Sequence, residues 1–326
     1  MKAIRCHSFG PPSTLQLDEL PDLTPDPKQI VIDVKACGVN FPDTLIIQGK
    51  YQFKQPLPFS PGSDVAGVVR AVGEDVKHLK VGDAVFGMLV FGGFAEQVVA
   101  PANSCFPMPP GMDFNVAASF MLAYGTSYHA LKDRARLQAG ETLVVLGASG
   151  GVGLAAVELG KAMGARVIAA ASTDEKLELC KQYGAEAGIN YQTEDLKKRI
   201  KELTDGKGAD VVYDPVGGDY SEAALRATAW KGRFLVVGFA AGSIPRIPLN
   251  LALLKGCQIV GVFYGDFAIR HEPKLNVQNT VELFQLYAQG KLKPHIHKTY
   301  PLAEAPRALE DMMARKVMGK AVITMK

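Results

Sequence analysis

The sequence has few cysteines, little net charge and no long uninterrupted apolar run. Its five cysteines lie at least 31 residues apart and form no C-x-x-C pair. That spacing favours free thiols in a reducing compartment over a disulfide framework or a cysteine-rich zinc site. The net charge is only +3, and the longest basic run, residues 197–199, is flanked by acidic residues. This pattern is typical of a solvated helix face and argues against a nucleic-acid partner.

Membrane and secretory segments are also missing from the pattern. The most apolar stretch, residues 142–159, is interrupted by four glycines and by Glu158, which disqualifies it as a membrane span. The first ten residues, MKAIRCHSFG, contain no apolar signal core. We therefore expect a cytoplasmic protein with no membrane partner.

What is present indicates about two globular domains, since the chain has 326 residues of which 48% are hydrophobic. Up to about residue 115, short strand patterns alternate with Pro- and Gly-containing turns, which predicts a small barrel or sandwich. After residue 116, helical and strand patterns alternate, which predicts parallel strands joined by crossover helices. The strand patterns cover residues 30–36, 65–72, 84–88 and 94–100 in the first part, and 142–146, 166–171, 208–216, 232–239 and 257–263 in the second.

A glycine-rich turn lies between the strand 142–146 and the helix that follows it. Residues 148–153 read A-S-G-G-V-G, an A-x-G-x-x-G version of the dinucleotide fingerprint. Small residues are needed there because the backbone turns sharply and approaches a pyrophosphate, whose charge meets the amides of a helix N-terminus. A tight turn without a ligand is the alternative, but the strand and helix on either side favour cofactor binding.

The end of the second strand indicates which dinucleotide binds. NAD sites place an acidic residue there to bind the ribose hydroxyls, but this chain has Ala171 followed by Ser172, with Lys176 one turn later. The missing carboxylate and the added ammonium favour a 2′-phosphate, and so NADP. In the alternative, Lys176 is an ordinary surface lysine and Asp174 or Glu175 holds the ribose.

Several segments resemble the zinc-independent NADPH:quinone oxidoreductase family of the medium-chain dehydrogenase/reductase superfamily, in the family's order. They are ACGVNFPDTLIIQGKY (36–51), PFSPGSDVAGVV (58–69), VGDAVFG (81–87), GASGGVG (147–153), VVYDPVGG (211–218) and GKAVI (319–323). The resemblance implies an α/β protein in which a doubly wound Rossmann domain is inserted into a smaller, partly barrel-like, GroES-like catalytic domain. We expect the catalytic domain at residues 1–120 and 266–326, and the Rossmann domain at 121–265.

The resemblance also implies roles for individual residues. Asn40 and Tyr51 match cleft positions, where Asn40 lies near the nicotinamide ribose and Tyr51 orients the acceptor oxygen or relays a proton; a satisfied core tyrosine is the alternative for Tyr51. Thr126 matches a position beside the nicotinamide. The complete expected cofactor set is Asn40, Thr126, Ser149, Gly150, Gly151, Val152, Ser172, Lys176, Tyr191, Phe239, Phe263, Gly265 and Arg315.

Zinc-dependent relatives carry a cysteine, a histidine and a second cysteine at three ligand positions. This chain has Asn40, Ser63 and Leu122 there, so neither a thiolate nor an imidazole is available and we expect no metal. His295 and His297 share one face of a strand pattern but have no third ligand beside them in the sequence, so we interpret them as a polar surface.

Without a metal Lewis acid, reduction of an electrophilic acceptor by NADPH is easier than oxidation of an unactivated alcohol. The leading hypothesis is a quinone reductase. One alternative is a reductase of an activated C=C bond in an enone, alkenal or enoyl-CoA; another is an NADPH-binding structural or regulatory protein of the crystallin type. The apolar segment 258–265, last in the Rossmann sheet, predicts an edge strand on which a homodimer forms.

Overall fold

A computed structural model describes residues 1–325 and divides the chain into two units. The first unit comprises Met1–Leu122 and the described residues from Pro294 onward, and the second comprises Ala123–Lys293. The chain passes from the first unit to the second at 122/123, two residues beyond the predicted boundary at 120/121. It returns to the first unit at 293/294 and not at the predicted 265/266. Within residues 1–325, no helix has both the length and the apolar character to cross a membrane.

Each predicted strand pattern overlaps a strand of the structure. The strands are β1 Lys2–Arg5, β2 Gln16–Glu19, β3 Gln29–Val39, β4 Asp64–Val72, β5 Ala84–Met88, β6 Gln97–Pro101, β7 Cys105–Pro107, β8 Thr142–Leu146, β9 Arg166–Ala171, β10 Ala187–Asn190, β11 Ala209–Asp214, β12 Thr228–Val236, β13 Gln258–Gly261, β14 Ile296–Pro301 and β15 Lys320–Thr324. The α-helices are α1 Phe41–Ile46, α2 Phe114–Ala117, α3 Met121–Tyr128, α4 Gly151–Ala162, α5 Asp174–Gln182, α6 Leu196–Leu203, α7 Asp219–Arg226, α8 Asn250–Lys255, α9 Tyr264–Asp266, α10 Pro273–Ala288 and α11 Ala305–Met313.

The first unit is built on a largely antiparallel sheet of order β14-β15-β3-β4-β5-β7, with β6 also paired to β3. Strand β15 pairs with β3, with Val322 opposite Gly38. The two ends of the chain therefore share one sheet. Ile30 and Ile32 of β3 are fully buried in its apolar core, and Val31 between them is fully buried as well.

The second unit has a parallel sheet of order β10-β9-β8-β11-β12-β13. Numbered within the unit this is 3-2-1-4-5-6, the Rossmann order, whose switch point lies between β8 and β11. The central strands are apolar because helices cover both faces, and Val144, Ile168 and Val212 are fully buried. The α/β class and the Rossmann sheet predicted from the sequence are confirmed.

Strand β13 departs from the prediction in length. It ends at Gly261, and Tyr264 begins a short helix, so the predicted strand over 258–265 is wrong in its second half. It is also mostly exposed. Its place at the end of the sheet order explains the exposure, since β12 covers one side only.

Side chains of α10 explain why the second unit extends to Lys293. Glu282 accepts a hydrogen bond from Tyr128 Oη at 2.6 Å, and Asn279 Nδ2 donates to Asp133 at 2.8 Å. Lys132 reaches Glu282 as well. These polar contacts join α10 to the π-helical turn after α3, and the sequence pattern of α10 gives no sign of its partner.

Glu158 of α4 anchors both ends of the second unit. It is 5% exposed, accepts a hydrogen bond from Tyr124 Oη on one oxygen, and accepts one from the Lys293 backbone N–H at 2.7 Å on the other. Tyr124 is the second residue of the unit and Lys293 is its last. One buried carboxylate on the helix that follows the glycine-rich turn thus holds the entry and the exit of the chain.

Candidate active site

The glycine-rich turn in the second unit has the backbone geometry of an anion site. Gly147 takes the left-handed conformation, with φ at +56°, as the chain leaves β8. A Cβ at Gly153 would lie 2.2 Å from the Gly147 carbonyl oxygen, so only glycine allows this approach of helix and turn. Gly150 caps α4 without a side-chain hydrogen bond. The first-turn amides and the positive end of the helix dipole therefore form the cradle that a pyrophosphate requires.

Helix α3 packs against this turn. Ser127 Oγ donates to the Val152 carbonyl oxygen at 2.7 Å and lies 2.9 Å from the Tyr213 hydroxyl. These contacts fix the position of the neighbouring Thr126, which is 9% exposed. Thr126 is therefore placed one residue from a side chain that touches the glycine-rich turn.

A lysine and a serine, Lys176 and Ser172, lie together at the carboxyl end of β9. Lys176 Nζ donates to Ser172 Oγ at 3.0 Å, and Thr173 caps α5 by accepting from the Lys176 backbone N–H. Asp174, the alternative ribose ligand, accepts from Asn190 Nδ2 at 2.9 Å. The ammonium and hydroxyl converge where the sequence predicts a 2′-phosphate, and the Asp174 carboxylate is engaged by the end of the next strand.

The other predicted cofactor residues of this unit follow neighbouring strand ends. Tyr191 comes directly after β10, and its ring lies 4.4 Å from that of Tyr220. Phe239 follows β12 and Phe263 follows β13, and both are partly exposed, whereas Gly265 lies in the short helix α9. Because parallel strands end at one edge of a sheet, these residues, the glycine-rich turn and the Lys176–Ser172 pair share the edge where dinucleotides bind.

The first unit contains a buried group of four polar residues, Asn40, Asp43, Asp64 and Lys320, which we call the Asn40 cluster. Asn40 follows β3, and its backbone N–H donates to Asp43 at 2.8 Å. Lys320, the first residue of β15, donates to Asn40 Oδ1 and lies 3.7 Å from Asp64. Asn40 Nδ2 makes long contacts of 3.5 Å to Asp64 and 3.4 Å to the Gly38 carbonyl oxygen. All four side chains are at most 5% exposed.

Burial sets the electrostatics of the Asn40 cluster. It raises the pKa of Asp43 to about 7 and that of Asp64 to about 6, although the Lys320 ammonium opposes both shifts. It also lowers the pKa of Lys320, against the pull of the two carboxylates. Two carboxylates and one ammonium share this apolar site, so the cluster carries an unbalanced negative charge once both acids ionise.

Tyr51 lies in the first unit, where the charge of Asp43 acts on its hydroxyl. Its ring packs against the apolar core of the first unit and lies edge-on to Phe53, with centroids 6.1 Å apart. Burial raises the pKa of the Tyr51 hydroxyl, and the negative charge of Asp43 raises it further. Asp43 thus accepts from the Asn40 backbone N–H and also acts through its charge on the Tyr51 hydroxyl. Arg315 lies elsewhere in this unit, just beyond α11, with its backbone N–H donating to the Met312 carbonyl oxygen at 3.0 Å.

Sequence reasoning missed Asp43, Asp64 and Lys320. A signal was available, because Asp64 and Lys320 each precede a run of apolar residues, 65–69 and 321–323, and a charge at such a place needs a buried partner. Lys320 is 280 residues from Asn40, so the sequence alone does not show that they meet.

Asn40, Ser63 and Leu122, which match the zinc-ligand positions of zinc-dependent relatives, all lie next to Asp64 in the chain or in the structure. Ser63 precedes Asp64, and the Leu122 backbone N–H donates to both Asp64 oxygens at 3.3 Å. Lys320 donates to Asn40 Oδ1, and Ser63 and Leu122 offer neither a thiolate nor an imidazole, so these three positions do not suit Zn²⁺. Residues 1–325 contain no group of three or more histidine, cysteine or acidic side chains able to hold a metal ion.

A known protein family matches part of each unit. The alcohol dehydrogenase GroES-like domain family matches residues 26–110, and the zinc-binding dehydrogenase family matches residues 151–282. The chain is 39% identical to quinone oxidoreductase-like protein 2 homolog of Nematostella vectensis, over 100% of this chain and 89% of that protein. It is 36% identical to quinone oxidoreductase of Rattus norvegicus, over 99% and 97%.

A solved structure of similar fold contains a bound nucleotide. The quinone oxidoreductase of Escherichia coli in complex with NADPH superposes with a TM-score of 0.92 at 31% identity, covering 99% of this chain and 100% of that one. Identity and coverage at this level extend across both units. The chain therefore belongs to the quinone oxidoreductase family of the medium-chain dehydrogenase/reductase superfamily.

Proposed function

We propose that this protein is an NADPH-dependent oxidoreductase that reduces quinones without zinc. The observation that carries the proposal is the Rossmann edge on which the glycine-rich turn and the Lys176–Ser172 pair stand together. The names of the relatives, and the NADPH bound to one of them, support the same activity.

The residues present fit NADPH. The first-turn amides of α4, at Gly151 and Val152, would hold the pyrophosphate together with Ser149 and Gly150. Ser172, Lys176 and Tyr191 would bind the 2′-phosphate, and the charge-assisted contact from Lys176 would distinguish NADPH from NADH. Thr126, Phe239, Phe263 and Gly265 would line the remainder of the nucleotide. When bound, NADPH supplies the hydride.

Asn40 and Tyr51 would contact the quinone that accepts the hydride. Both carry hydrogen-bond donors that can stabilise the negative charge developing on a quinone oxygen, and Tyr51 can also deliver a proton. A quinone is electrophilic enough to accept hydride with this help alone. The ammonium at Asn40 Oδ1 stands where a divalent cation would have to bind, which supports a reaction without zinc.

The test is NADPH oxidation measured against quinones, alkenals and enoyl-CoA esters, together with cofactor affinity. We expect turnover with quinones, and preference for the other acceptors would identify a C=C reductase instead. Lys176→Ala should weaken NADPH binding by roughly ten- to a hundredfold with little change for NADH, because one charge-assisted contact of about 1.5–3 kcal/mol is lost. Lys181→Ala, an exposed lysine of the same helix, is the matched control; equal weakening toward both cofactors contradicts the 2′-phosphate site.

We also propose a homodimer formed through the β13 edge. Large apolar side chains on β13, on α8, in the loop that precedes α8 and beside Gly256 are exposed: Ile259, Leu253, Leu254, Leu249, Ile244 and Trp230. Leu253 and Leu254 are 79% and 68% exposed on α8, which leads directly into β13. An open strand edge flanked by apolar side chains favours pairing with an identical edge about a two-fold axis.

Light scattering at micromolar concentration should report twice the chain mass for the dimer. Leu253→Lys/Leu254→Lys should shift the protein to monomer, because it places two charges in the proposed interface. Leu17→Lys, an exposed leucine of the first unit, serves as the control; a wild-type monomer would overturn the proposal. The proposed compartment is the cytoplasm, which suits an NADPH enzyme whose cysteines are free thiols, four of them buried.

A further inference from the structure

Lys320 is a buried cation that the proposed reaction does not use. It is 4% exposed and opens strand β15, whose next residues, Ala321 to Ile323, are fully buried. An ammonium in such surroundings needs hydrogen-bonding partners and an opposite charge, since desolvation strongly opposes the charged form. The chain supplies them as Asn40 Oδ1 and the Asp64 carboxylate.

The contacts of Asn40 are unequal. Its oxygen accepts a charge-assisted hydrogen bond from Lys320, whereas its nitrogen makes only long contacts of 3.4 and 3.5 Å. Charge-assisted hydrogen bonds are about twice as strong as neutral ones, and bonds at 3.5 Å are weak. Lys320 therefore determines which way the carboxamide faces. It holds the oxygen, and leaves the N–H donors able to exchange their weak contacts for a ligand.

A second effect of the ammonium is electronic. A cation bonded to an amide oxygen draws electron density from the nitrogen, which makes the N–H groups better donors, and a low local dielectric strengthens the effect. Asp64 holds the ammonium in place and is itself fixed by the Leu122 backbone N–H. A series of contacts thus leads from the Leu122 backbone to Asp64, from Asp64 to Lys320, and from Lys320 to Asn40.

We infer that Lys320 is a positioning residue that orients and polarises the Asn40 carboxamide, so that its nitrogen donates to the acceptor oxygen during hydride transfer. This inference rests on the proposed function, because it takes Asn40 as the group that touches the acceptor. Lys320 itself acts only through Asn40.

The test compares variants that separate the role of Lys320 from its effect on stability. Lys320→Met alone leaves the Asp64 carboxylate buried without its cation and is expected to lower the melting temperature. Lys320→Met/Asp64→Asn removes both charges and keeps Asn40. We expect kcat with a quinone to fall roughly tenfold or more in the double variant, as for loss of a charge-assisted contact, with NADPH affinity changed by much less. Lys320→Arg, which retains a cation, should recover part of kcat.

A second readout needs no turnover. In protein labelled with ¹⁵N-asparagine, the Asn40 side-chain amide signal is assigned by its disappearance in Asn40→Ala. It should shift in Lys320→Met/Asp64→Asn and stay in place in Lys316→Met, an exposed lysine just before β15. An unshifted signal in the double variant overturns the inference, and so does wild-type kcat.

The two readouts separate the inference from the proposed function. If the wild-type protein oxidises no NADPH with any quinone, the proposed function fails. A shifted Asn40 signal in Lys320→Met/Asp64→Asn would still show that Lys320 orients the carboxamide. If the wild type reduces quinones and the double variant matches it, the function stands and the assignment of Lys320 is wrong.

Discussion

Replacing Asp43 with asparagine tests whether the Asn40 cluster carries an unbalanced buried charge. Asp43 is fully buried, and its pKa rises from 3.8 to about 7. The variant keeps an oxygen that accepts from the Asn40 backbone N–H and removes the carboxylate that titrates. It leaves one ammonium and one carboxylate, Lys320 and Asp64, as a balanced pair.

The sign follows from proton linkage. The unfolded chain releases the Asp43 proton near pH 4, whereas the folded chain holds it until about pH 7. Raising the pH across this interval therefore favours unfolding, and the stability present below pH 4 is lost by pH 7. At 1.36 kcal/mol per pH unit, the ceiling of this loss is about 4 kcal/mol.

The assay is the melting temperature of Asp43→Asn and of the wild type from pH 4 to pH 9. We expect the variant to gain on the wild type as pH rises, by several degrees in total, since about 1 kcal/mol corresponds to roughly 2–4 °C at this size. The gain should level off above pH 7. Asp75→Asn, at an exposed aspartate of the same unit, should show no such trend. A difference that stays constant between pH 5 and pH 8, or shrinks, refutes the reasoning.

Two further predictions concern the reaction. Quinone reduction should survive prolonged dialysis against a metal chelator, because Asn40, Ser63 and Leu122 offer no zinc ligand set; loss of activity that only zinc restores would contradict this. Asn40→Ala and Tyr51→Phe should each lower kcat more than NADPH affinity, with about 2–4 kcal/mol as the ceiling for one preorganised donor. If both residues are merely structural, Tyr51→Phe is nearly silent and Asn40→Ala lowers only the melting temperature, so turnover, affinity and melting temperature are measured together.

The sequence predicts the second unit well because its signals are local. The turn at residues 147–153, the strand 166–171 and the lysine one helical turn later lie within about 30 residues, and the structure places them as the spacing indicates. Alternating strands and helices then fix a parallel sheet by general rules of connection. The division of the chain into units lies at 293/294, beyond the predicted 265/266, and the polar contacts of α10 with Tyr128 and Asp133 that accompany it span about 150 positions.

The Asn40 cluster shows the opposite case. Its members lie just after β3 and in α1, β4 and β15, and only the pairing of β15 with β3 brings Lys320 to Asn40. Periodicity and spacing describe one element at a time, so they contain no information on this meeting. Recognition of the segments 36–51, 58–69 and 319–323 as parts of one family located Asn40, but it did not reveal the buried charges around it.

The anchoring of both chain crossings by Glu158 bears on how this protein can be taken apart and rebuilt. Tyr124 and Lys293 bind the same carboxylate, so the ends of a 171-residue module, Ala123–Lys293, meet at one side chain. A module with adjacent ends can be cut out, circularly permuted or exchanged without stretching its host, since only a short link is needed at the junction. The residues that contact Glu158, Tyr124 and Lys293, are therefore the places at which to join a transplanted nucleotide-binding module to a new host.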